Sequence, residues 1–197
     1  MSLILNFETS SKNCSVALST EGKLISNFDL EDDKYRHSEL LTSTIKDILV
    51  QNNISAKDLS AVAIGIGPGS FTGLRIGFSV AKGLCYPHKI NLIGISSLKI
   101  LANSIKADSG DIVSMINDKG NFYYLSTFED KLNEVGNPIL EQVDPNFIKK
   151  YIKDGSTIVV NSEDSFNYIS TTINDQIKLI NKSISSFIVV LKIIEWI

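Results

Sequence analysis

One glycine-rich segment, Gly67-Pro68-Gly69-Ser70-Phe71-Thr72-Gly73-Leu74-Arg75-Ile76-Gly77, constrains the fold of this chain more than any other feature. It follows an apolar run, Leu59 to Ile64, that has the length of a buried strand, and it opens a helical pattern from Leu74 to Leu84. Glycines at such a junction permit backbone angles that are closed to other residues, and they leave amide groups accessible where the helix begins. The segment therefore predicts a strand, a tight loop and a helix in an α/β protein.

The loop Gly67–Gly73 completes none of the common nucleotide or nucleophile motifs. A P-loop requires a lysine that is absent here, and Gly65-Ile66-Gly67 begins a dinucleotide fingerprint without finishing it. Ser70 does not stand in a Gly-x-Ser-x-Gly frame. The pattern leaves two interpretations open, a loop that binds a ligand and a tight turn that binds none. We expect Ser70 and Thr72 to cap the helix rather than act as nucleophiles.

The helix behind the loop carries a row of small residues. Gly73, Gly77 and Ala81 recur at every fourth position, which places them on one face. Each interior glycine costs about 1 kcal/mol relative to alanine, so this face should serve a close backbone approach. A second row, Ile76, Val80 and Leu84, could cover a sheet. The small row could then receive a second helix, or it could itself pack on the sheet of this chain.

Composition indicates a globular protein with little affinity for polyanions overall. The chain has 197 residues, 43% of them hydrophobic, and a net charge of -3. Its only arginines are Arg36 and Arg75, which excludes an arginine-rich phosphate clamp. Cys14 and Cys85 form no Cys-x-x-Cys pair, and we expect buried, reduced thiols of the kind found in the cytoplasm. The apolar run 187–197 is shorter than the ~20 residues of a membrane span, so we expect a cytoplasmic protein with no membrane contact.

The predicted elements follow the same order in both halves of the chain, namely three strands and then helix, strand, helix, strand and helix. In the first half we expect strands at 3–7, 14–20, 23–29, 59–65 and 91–95 and helices at 37–50, 74–84 and 97–106. In the second half we expect strands at 111–116, 121–128, 135–143, 157–160 and 177–180 and helices at 146–153, 164–172 and 183–196. This order predicts two related α/β lobes, residues 1–106 and residues 107–197.

Several segments resemble the TsaB (YeaZ) family. They are the glycine-rich segment with the following Ala81-Lys82-Gly83-Leu84, Glu8-Thr9-Ser10, His37-Ser38-Glu39-Leu40-Leu41 and Gly94-Ile95-Ser96-Ser97-Leu98. The match runs from the N-terminus to about Ala102, and the second half matches by element order only. The resemblance implies an actin/Hsp70/sugar-kinase-like (ASKHA) fold of two RNase H-like lobes, with the second lobe shortened or degenerate.

The resemblance also implies a function. Members of this family are non-catalytic subunits of the bacterial machinery that forms N6-threonylcarbamoyladenosine in tRNA, and they activate a catalytic paralogue, TsaD, alongside an ATPase, TsaE. A chain of this kind has no catalytic residue, metal or cofactor of its own. It reaches tRNA only through the complex, and it forms a homodimer when it is alone. Direct tRNA binding by the chain is a third possibility, which its mild acidity disfavours in the absence of a partner.

The partner surface implied by the resemblance lies on the two helices near 37–50 and 73–86, which would form a bundle with the matching helices of the partner. That bundle would explain the small row. The expected interface residues are Leu40, Leu41, Thr44, Ile45, Ile48, Gly73, Arg75, Gly77, Phe78, Ser79, Ala81 and Lys82.

The alternative function is a small-molecule kinase or ATPase of the same fold. Glu8, Thr9 and Ser10 would then belong to a nucleotide site or its relic, with Asp118 as a second carboxylate. The competing interpretation of Glu8 is a strand-end acid that accepts hydrogen bonds from nearby amides. His37 and His88 are the only histidines and cannot share one helix face, which excludes a helical two-histidine metal site. We expect His37 to be a surface residue at a helix start.

Overall fold

A computed structural model of the chain describes residues 2–31, 37–106, 110–129 and 132–185. Among these residues, 2–97 together with Ile184 and Ser185 form one compact unit, and Leu98–Ser183 form a second. The division therefore falls before Leu98 rather than at the predicted boundary between residues 106 and 107. The return of the chain to the first unit has a physical cause, because Asn13 Nδ2 donates to the Ile184 carbonyl at 3.1 Å and Ser185 Oγ donates to Asp29 at 2.7 Å.

The first unit is built on a five-stranded sheet. Its strands are β1 (Leu3–Glu8), β2 (Asn13–Thr20), β3 (Lys23–Glu31), β4 (Ala61–Gly65) and β5 (Asn91–Ile95), in the order β3-β2-β1-β4-β5. Strands β1, β2 and β3 are antiparallel, whereas β4 and β5 run parallel to β1. Phe7 pairs with Ile64, so the carboxyl ends of β1 and β4 meet at one edge of the sheet. The glycine-rich segment leaves the sheet at this edge.

Two long helices cover one face of this sheet. They are α1 (His37–Gln51) and α2 (Phe71–His88), and a short 3-10 turn, Ala56–Asp58, precedes β4. Alternate residues of the central strands face the helices, as the period of a half-buried strand requires. The shared core consists of Leu5, Phe7, Val16, Leu18, Val62 and Ile64 from the strands and Leu41, Ile45, Ile48, Leu49 and Ala81 from the helices.

The second unit repeats this plan. Its strands are β6 (Ile112–Lys119), β7 (Phe122–Glu129), β8 (Asn133–Gln142), β9 (Thr157–Val160) and β10 (Lys178–Asn181), in the order β10-β9-β6-β7-β8. Its helices are α4 (Pro145–Tyr151) and α5 (Glu163–Ser170), while α3 (Ser97–Asn103) stands where the first unit ends. Each sheet thus has three antiparallel strands followed by two parallel ones, which confirms the predicted repeat of element order.

Two features of the chain after β5 concern the predicted helices. Asp144 caps α4 by accepting a hydrogen bond from the Phe147 amide at 2.7 Å, as predicted. The helix predicted at 183–196 is not helical at residues 183–185, and its remainder lies outside the described residues. Within the part of the chain that the structure describes, no helix is both long and apolar enough to cross a membrane.

Candidate functional site

The glycine loop is held against the end of β1 by hydrogen bonds within this chain. The Ser70 amide donates to the Ser10 carbonyl at 2.7 Å, and the Ser97 amide donates to the Gly67 carbonyl at 2.8 Å. Ser97 Oγ donates to Ser10 Oγ at 3.0 Å in a buried position. Gly69 has a φ of +151°, and a Cβ atom there would lie 2.3 Å from the Ser10 carbonyl oxygen. The approach of loop to strand therefore requires glycine at this position.

The Glu8 carboxyl is fully buried at the same edge of the sheet. Its Oε1 accepts hydrogen bonds from the amides of Thr9 at 2.8 Å and Ser10 at 2.7 Å. Its Oε2 has no hydrogen-bond partner among the described residues. Removal from water raises the pKa of Glu8, and the hydrogen bonds from Ser10 and Thr9 oppose this rise. The interpretation of Glu8 as a strand-end acid bonded to nearby amides is confirmed.

The Glu8 side chain also explains a glycine on the neighbouring strand. A Cβ atom on Gly65 would lie 1.8 Å from Glu8 Oε2, so β4 can pass the carboxyl only with glycine there. The amides of Thr9 and Ser10 are the groups that a nucleotide site at this edge would offer to phosphate. Both already donate to Glu8, which leaves them unavailable to a ligand.

The row of small residues on α2 faces the sheet of its own unit. A Cβ atom on Gly73 would lie 1.9 Å from the Thr9 carbonyl oxygen, and one on Gly77 would lie 2.6 Å from Thr9 Oγ1. Thr9 Oγ1 also donates to the Gly73 carbonyl at 2.9 Å, and Ala81 is buried on the same face. The prediction that this row receives a partner helix is therefore wrong. The residues of this row are small because α2 approaches the end of β1 so closely that backbone lies against backbone.

Several other predicted interface residues are also buried within the first unit. These are Leu41, Thr44, Ile45 and Ile48 of α1. They belong to the face of an amphipathic helix that rests on its own sheet, so Leu41, Thr44 and Ile48 are not exposed for a partner to contact, whereas Ile45 also lines a groove between α1 and α2. Leu40 and Phe78 are half-buried, while Arg75, Ser79 and Lys82 are exposed.

An apolar groove lies between α1 and α2. Its volume is about 320 Å³, and Thr42, Ile45, Lys46, Leu49, Val50, Ile54, Val80 and Leu84 line it. Val50 is 65% exposed, which is unusual for a valine in a folded chain. Val80 and Leu84, which we expected to cover the sheet, line the groove and are half-buried. The sequence contains one signal for this groove that we missed. Val50 follows Ile48 and Leu49 on α1 and extends the apolar residues of this helix beyond its buried face.

Among the histidines and cysteines, His37, Cys14 and Cys85 are buried. His37 was expected at the surface, but it is buried, with Nε2 2.8 Å from the Ser11 carbonyl oxygen. Cys14 and Cys85 are buried free thiols, as predicted, and burial together with the nearby Asp29 charge raises the pKa of Cys14 to about 11. Across the described ranges, no three His, Cys, Asp or Glu side chains lie close enough to hold a metal ion.

Comparison with known proteins gives this geometry a context. A family model described as TsaD, tRNA N6-adenosine threonylcarbamoyltransferase, matches residues 31–149, which is more than half of the chain. This chain belongs to that family, in its TsaB (YeaZ) branch. The TsaB protein of Escherichia coli is 36% identical over 107 residues, which are 54% of this chain and 46% of the relative. The TsaB protein of Bacillus subtilis is 30% identical over 143 residues, which are 73% of this chain and 60% of the relative.

Both relatives are named tRNA threonylcarbamoyladenosine biosynthesis proteins. The alignments with these TsaB proteins span about half to three fifths of the relatives' length. Among solved structures, YeaZ from Pseudomonas aeruginosa superposes with a TM-score of 0.81 at 22% identity and covers 100% of this chain and 92% of that one. A polyphosphate/ATP-glucomannokinase from an Arthrobacter strain superposes with a TM-score of 0.58 at 8% identity, covering 99% and 98%. The TsaB-like chain therefore has the ASKHA-like fold, with a reduced second lobe.

Proposed function

We propose that this chain is a non-catalytic subunit of a complex that forms N6-threonylcarbamoyladenosine in tRNA, where it binds and activates a TsaD-like catalytic paralogue. Membership of the TsaB branch and the names of its relatives support the pathway. A TsaE-like ATPase is the second partner in this proposal, and the modified tRNA is a substrate of the whole complex. In the absence of the paralogue, two copies of the chain associate through the same helices.

The groove between α1 and α2 is the observation that carries this proposal. It is apolar, open to solvent and formed by two helices whose opposite faces are fixed in the core. A helix of a partner can lay its apolar face into such a groove, and burial of Val50, Val80 and Leu84 would drive the association. Because the groove is already formed in the single chain, binding would not require the helices to rearrange.

The backbone amides at the end of β1, where the glycine loop packs, already have hydrogen-bond partners, and this supports a structural role over a chemical one. Glu8 accepts hydrogen bonds from the Thr9 and Ser10 amides, and the Ser10 carbonyl in turn accepts one from the Ser70 amide. Ser70 then caps α2 by accepting a hydrogen bond from the Gly73 amide at 3.3 Å. The motif thus fixes where α2 begins and how closely it lies to β1, and thereby the shape of the groove.

The decisive experiment combines the chain with the catalytic paralogue, the ATPase and tRNA and follows modified adenosine with and without the chain. Val50→Asp places a charge in the groove at an exposed position, and we expect it to weaken the complex with the paralogue by about tenfold or more. Val135→Asp is the matched control, because Val135 is 46% exposed on β8 in the second unit. Modified adenosine that forms equally well without the chain would contradict the proposal.

The kinase alternative is tested separately by calorimetry of the isolated chain with Mg-ATP. We expect no heat of binding at millimolar nucleotide, because the Thr9 and Ser10 amides already donate hydrogen bonds to Glu8. A saturable binding heat that Glu8→Gln abolishes would instead favour an enzyme.

A further inference from the structure

A stripe on α2 alternates aromatic and basic residues, and its members are exposed except for the half-buried Phe78, which packs against the core. Its members are Phe71, Arg75, Phe78, Lys82 and Tyr86, followed by the helix-capping residue Lys89. Their spacing of three or four residues places them along one side of the helix. Phe71 is 73% exposed and Tyr86 is 90% exposed. Two exposed rings on one side of a helix, interleaved with cations, form a patch rather than a single scattered apolar residue.

The stripe lies in a region of the chain that has no acidic residue. Between Asp58 and Asp108 the sequence contains Arg75, Lys82, Lys89, Lys99 and Lys106 but no aspartate or glutamate, although the whole chain has 22 of them. Arg75, Lys82 and Lys89 are exposed, and none forms an ion pair with a described residue. The mild overall acidity of the protein therefore conceals a local concentration of positive charge.

Helix stability does not explain the charge of Arg75. Arg75 lies in the second turn of α2, near the positive end of the helix dipole, where a cation is unfavourable. No acidic residue occupies the first turn to offset it. The Arg75 guanidinium instead lies over the Phe71 ring, 5.3 Å from its centroid. Phe71 thereby holds a cation beside an exposed ring, a combination that single-stranded RNA sites use for phosphates and bases.

We propose that the stripe Phe71, Arg75, Phe78, Lys82, Tyr86 and Lys89 binds RNA, with the cations contacting phosphates and the exposed rings stacking on unpaired bases. That the RNA is tRNA rests on the proposed function, and the chain then contributes a direct contact to the tRNA held by the complex. The stripe is separate from the groove, because Val80 and Leu84 lie on the side of α2 that faces α1. The aromatic rings favour RNA over an acidic polypeptide, which has charges to pair but no bases to stack.

The test measures the affinity of the full chain for a fluorescently labelled tRNA transcript by anisotropy between about 50 and 200 mM salt. We expect binding that weakens as salt rises. The double variant Arg75→Glu/Lys82→Glu should lose about tenfold or more in affinity and show a shallower salt dependence. The matched control is Lys23→Glu/Lys57→Glu, which makes the same charge change at exposed positions outside the stripe and should stay within about twofold of the wild type.

Stacking is tested at Tyr86. Tyr86→Ala should lower the affinity about fivefold or more, whereas Tyr86→Phe should retain it because the ring remains. Tyr151→Ala, at a tyrosine that is 59% exposed on α4, is the control for loss of an exposed ring elsewhere. The proposal is overturned if wild-type protein fails to bind tRNA at the lowest salt, or if the stripe variants bind as well as the controls. It is also overturned if poly-L-glutamate binds the stripe more tightly than tRNA does.

Complex formation separates this inference from the proposed function. Tyr86 is not among the expected interface residues, so Tyr86→Ala should still bind the catalytic paralogue, and Val50→Asp should still bind tRNA. If modified adenosine forms without the chain while the stripe variants still lose tRNA affinity, the proposed function fails and the RNA-binding surface stands. If the complex is active and the stripe variants hold tRNA as the wild type does, the RNA-binding surface fails alone.

Discussion

Glu8 shows at the scale of one residue how folding places a carboxyl in an unfavourable environment. Its Oε2 has no hydrogen-bond partner among the described residues, and burial raises its pKa. Below the ordinary value of 4.5, the folded and unfolded chains both hold the proton and the residue costs little. As pH rises above that value, the unfolded chain ionises first, so the free energy of unfolding falls until the folded carboxyl ionises as well.

Glu8→Gln should therefore stabilise the protein near neutral pH. The substitution removes the free-energy cost of ionising a buried carboxyl, which grows with the rise in its pKa. The gain should grow from about pH 4.5 upward and be nearly absent below it, as measured by denaturant unfolding across the pH range. Glu141→Gln, which removes an exposed carboxylate from β8, is the control and should have little effect. A stability gain from Glu8→Gln that does not vary with pH would contradict this account.

The sequence predicted single residues well where their partners are close along the chain. Glu8 accepts hydrogen bonds from the amides of the next two residues, and Ser70 accepts one from the amide of Gly73. Both roles therefore follow from the local sequence pattern. His37 was misplaced because its partner, the Ser11 carbonyl, comes from a distant turn. No local pattern indicates which histidine a remote loop will cover.

At the scale of an element, two glycines of α2 differ sharply in what surrounds them. A Cβ atom at Gly73 would collide with the Thr9 carbonyl oxygen at 1.9 Å, whereas one at Gly83 would meet no atom within 4 Å. Gly73→Ala should destabilise the first unit by several kcal/mol, because the backbone of β1 must move. Gly83→Ala should stabilise it by about 0.5–1 kcal/mol through helix propensity. Thermal unfolding of the two variants against the wild type checks both signs, and a Gly73→Ala protein as stable as wild type would contradict the close packing.

The periodicity of α2 predicted that Gly73, Gly77 and Ala81 share a face, but not what that face contacts. A helix face made of small residues can pack closely against the end of a sheet or against a partner helix. Only the position of Thr9 next to Gly73 and Gly77 shows which of the two occurs here. The end of α2 was also missed, because the apolar pattern was traced only to Leu84. The helix continues to His88 and closes with Lys89, whose φ is 54° and whose amide donates to the carbonyls of Cys85 and Tyr86.

At the scale of the whole molecule, the repeat of element order was sufficient to predict two sheets of the same plan. The boundary between the units was not predictable in the same way. It depends on one hydrogen bond that Asn13 donates to Ile184 and one that Asp29 accepts from Ser185, and no local shift in composition indicates such distant partners. Each unit nevertheless has its own apolar core, one around Phe7 and Val62 and the other around Ile158 and Val160.

These separate cores predict that local destabilisation stays within one unit. Both cysteines lie in the core of the first unit, and the raised pKa of Cys14, about 11, keeps it largely protonated near pH 8. Thiol labelling of the native protein therefore requires the first unit to open. Val62→Ala and Val160→Ala remove the same groups from fully buried positions in β4 and β9, each at a cost of about 2 kcal/mol.

We expect Val62→Ala to accelerate labelling of the two thiols by about tenfold or more and Val160→Ala to leave the rate nearly unchanged. Peptide mapping of the labelled cysteines under native conditions gives both rates, and labelling in denaturant provides the upper limit for each variant. The pair is informative because the residue type and burial match, so the variants differ in the core that they weaken. Equal acceleration by both variants would show that the units open as one cooperative block, and a common core would then be the better description.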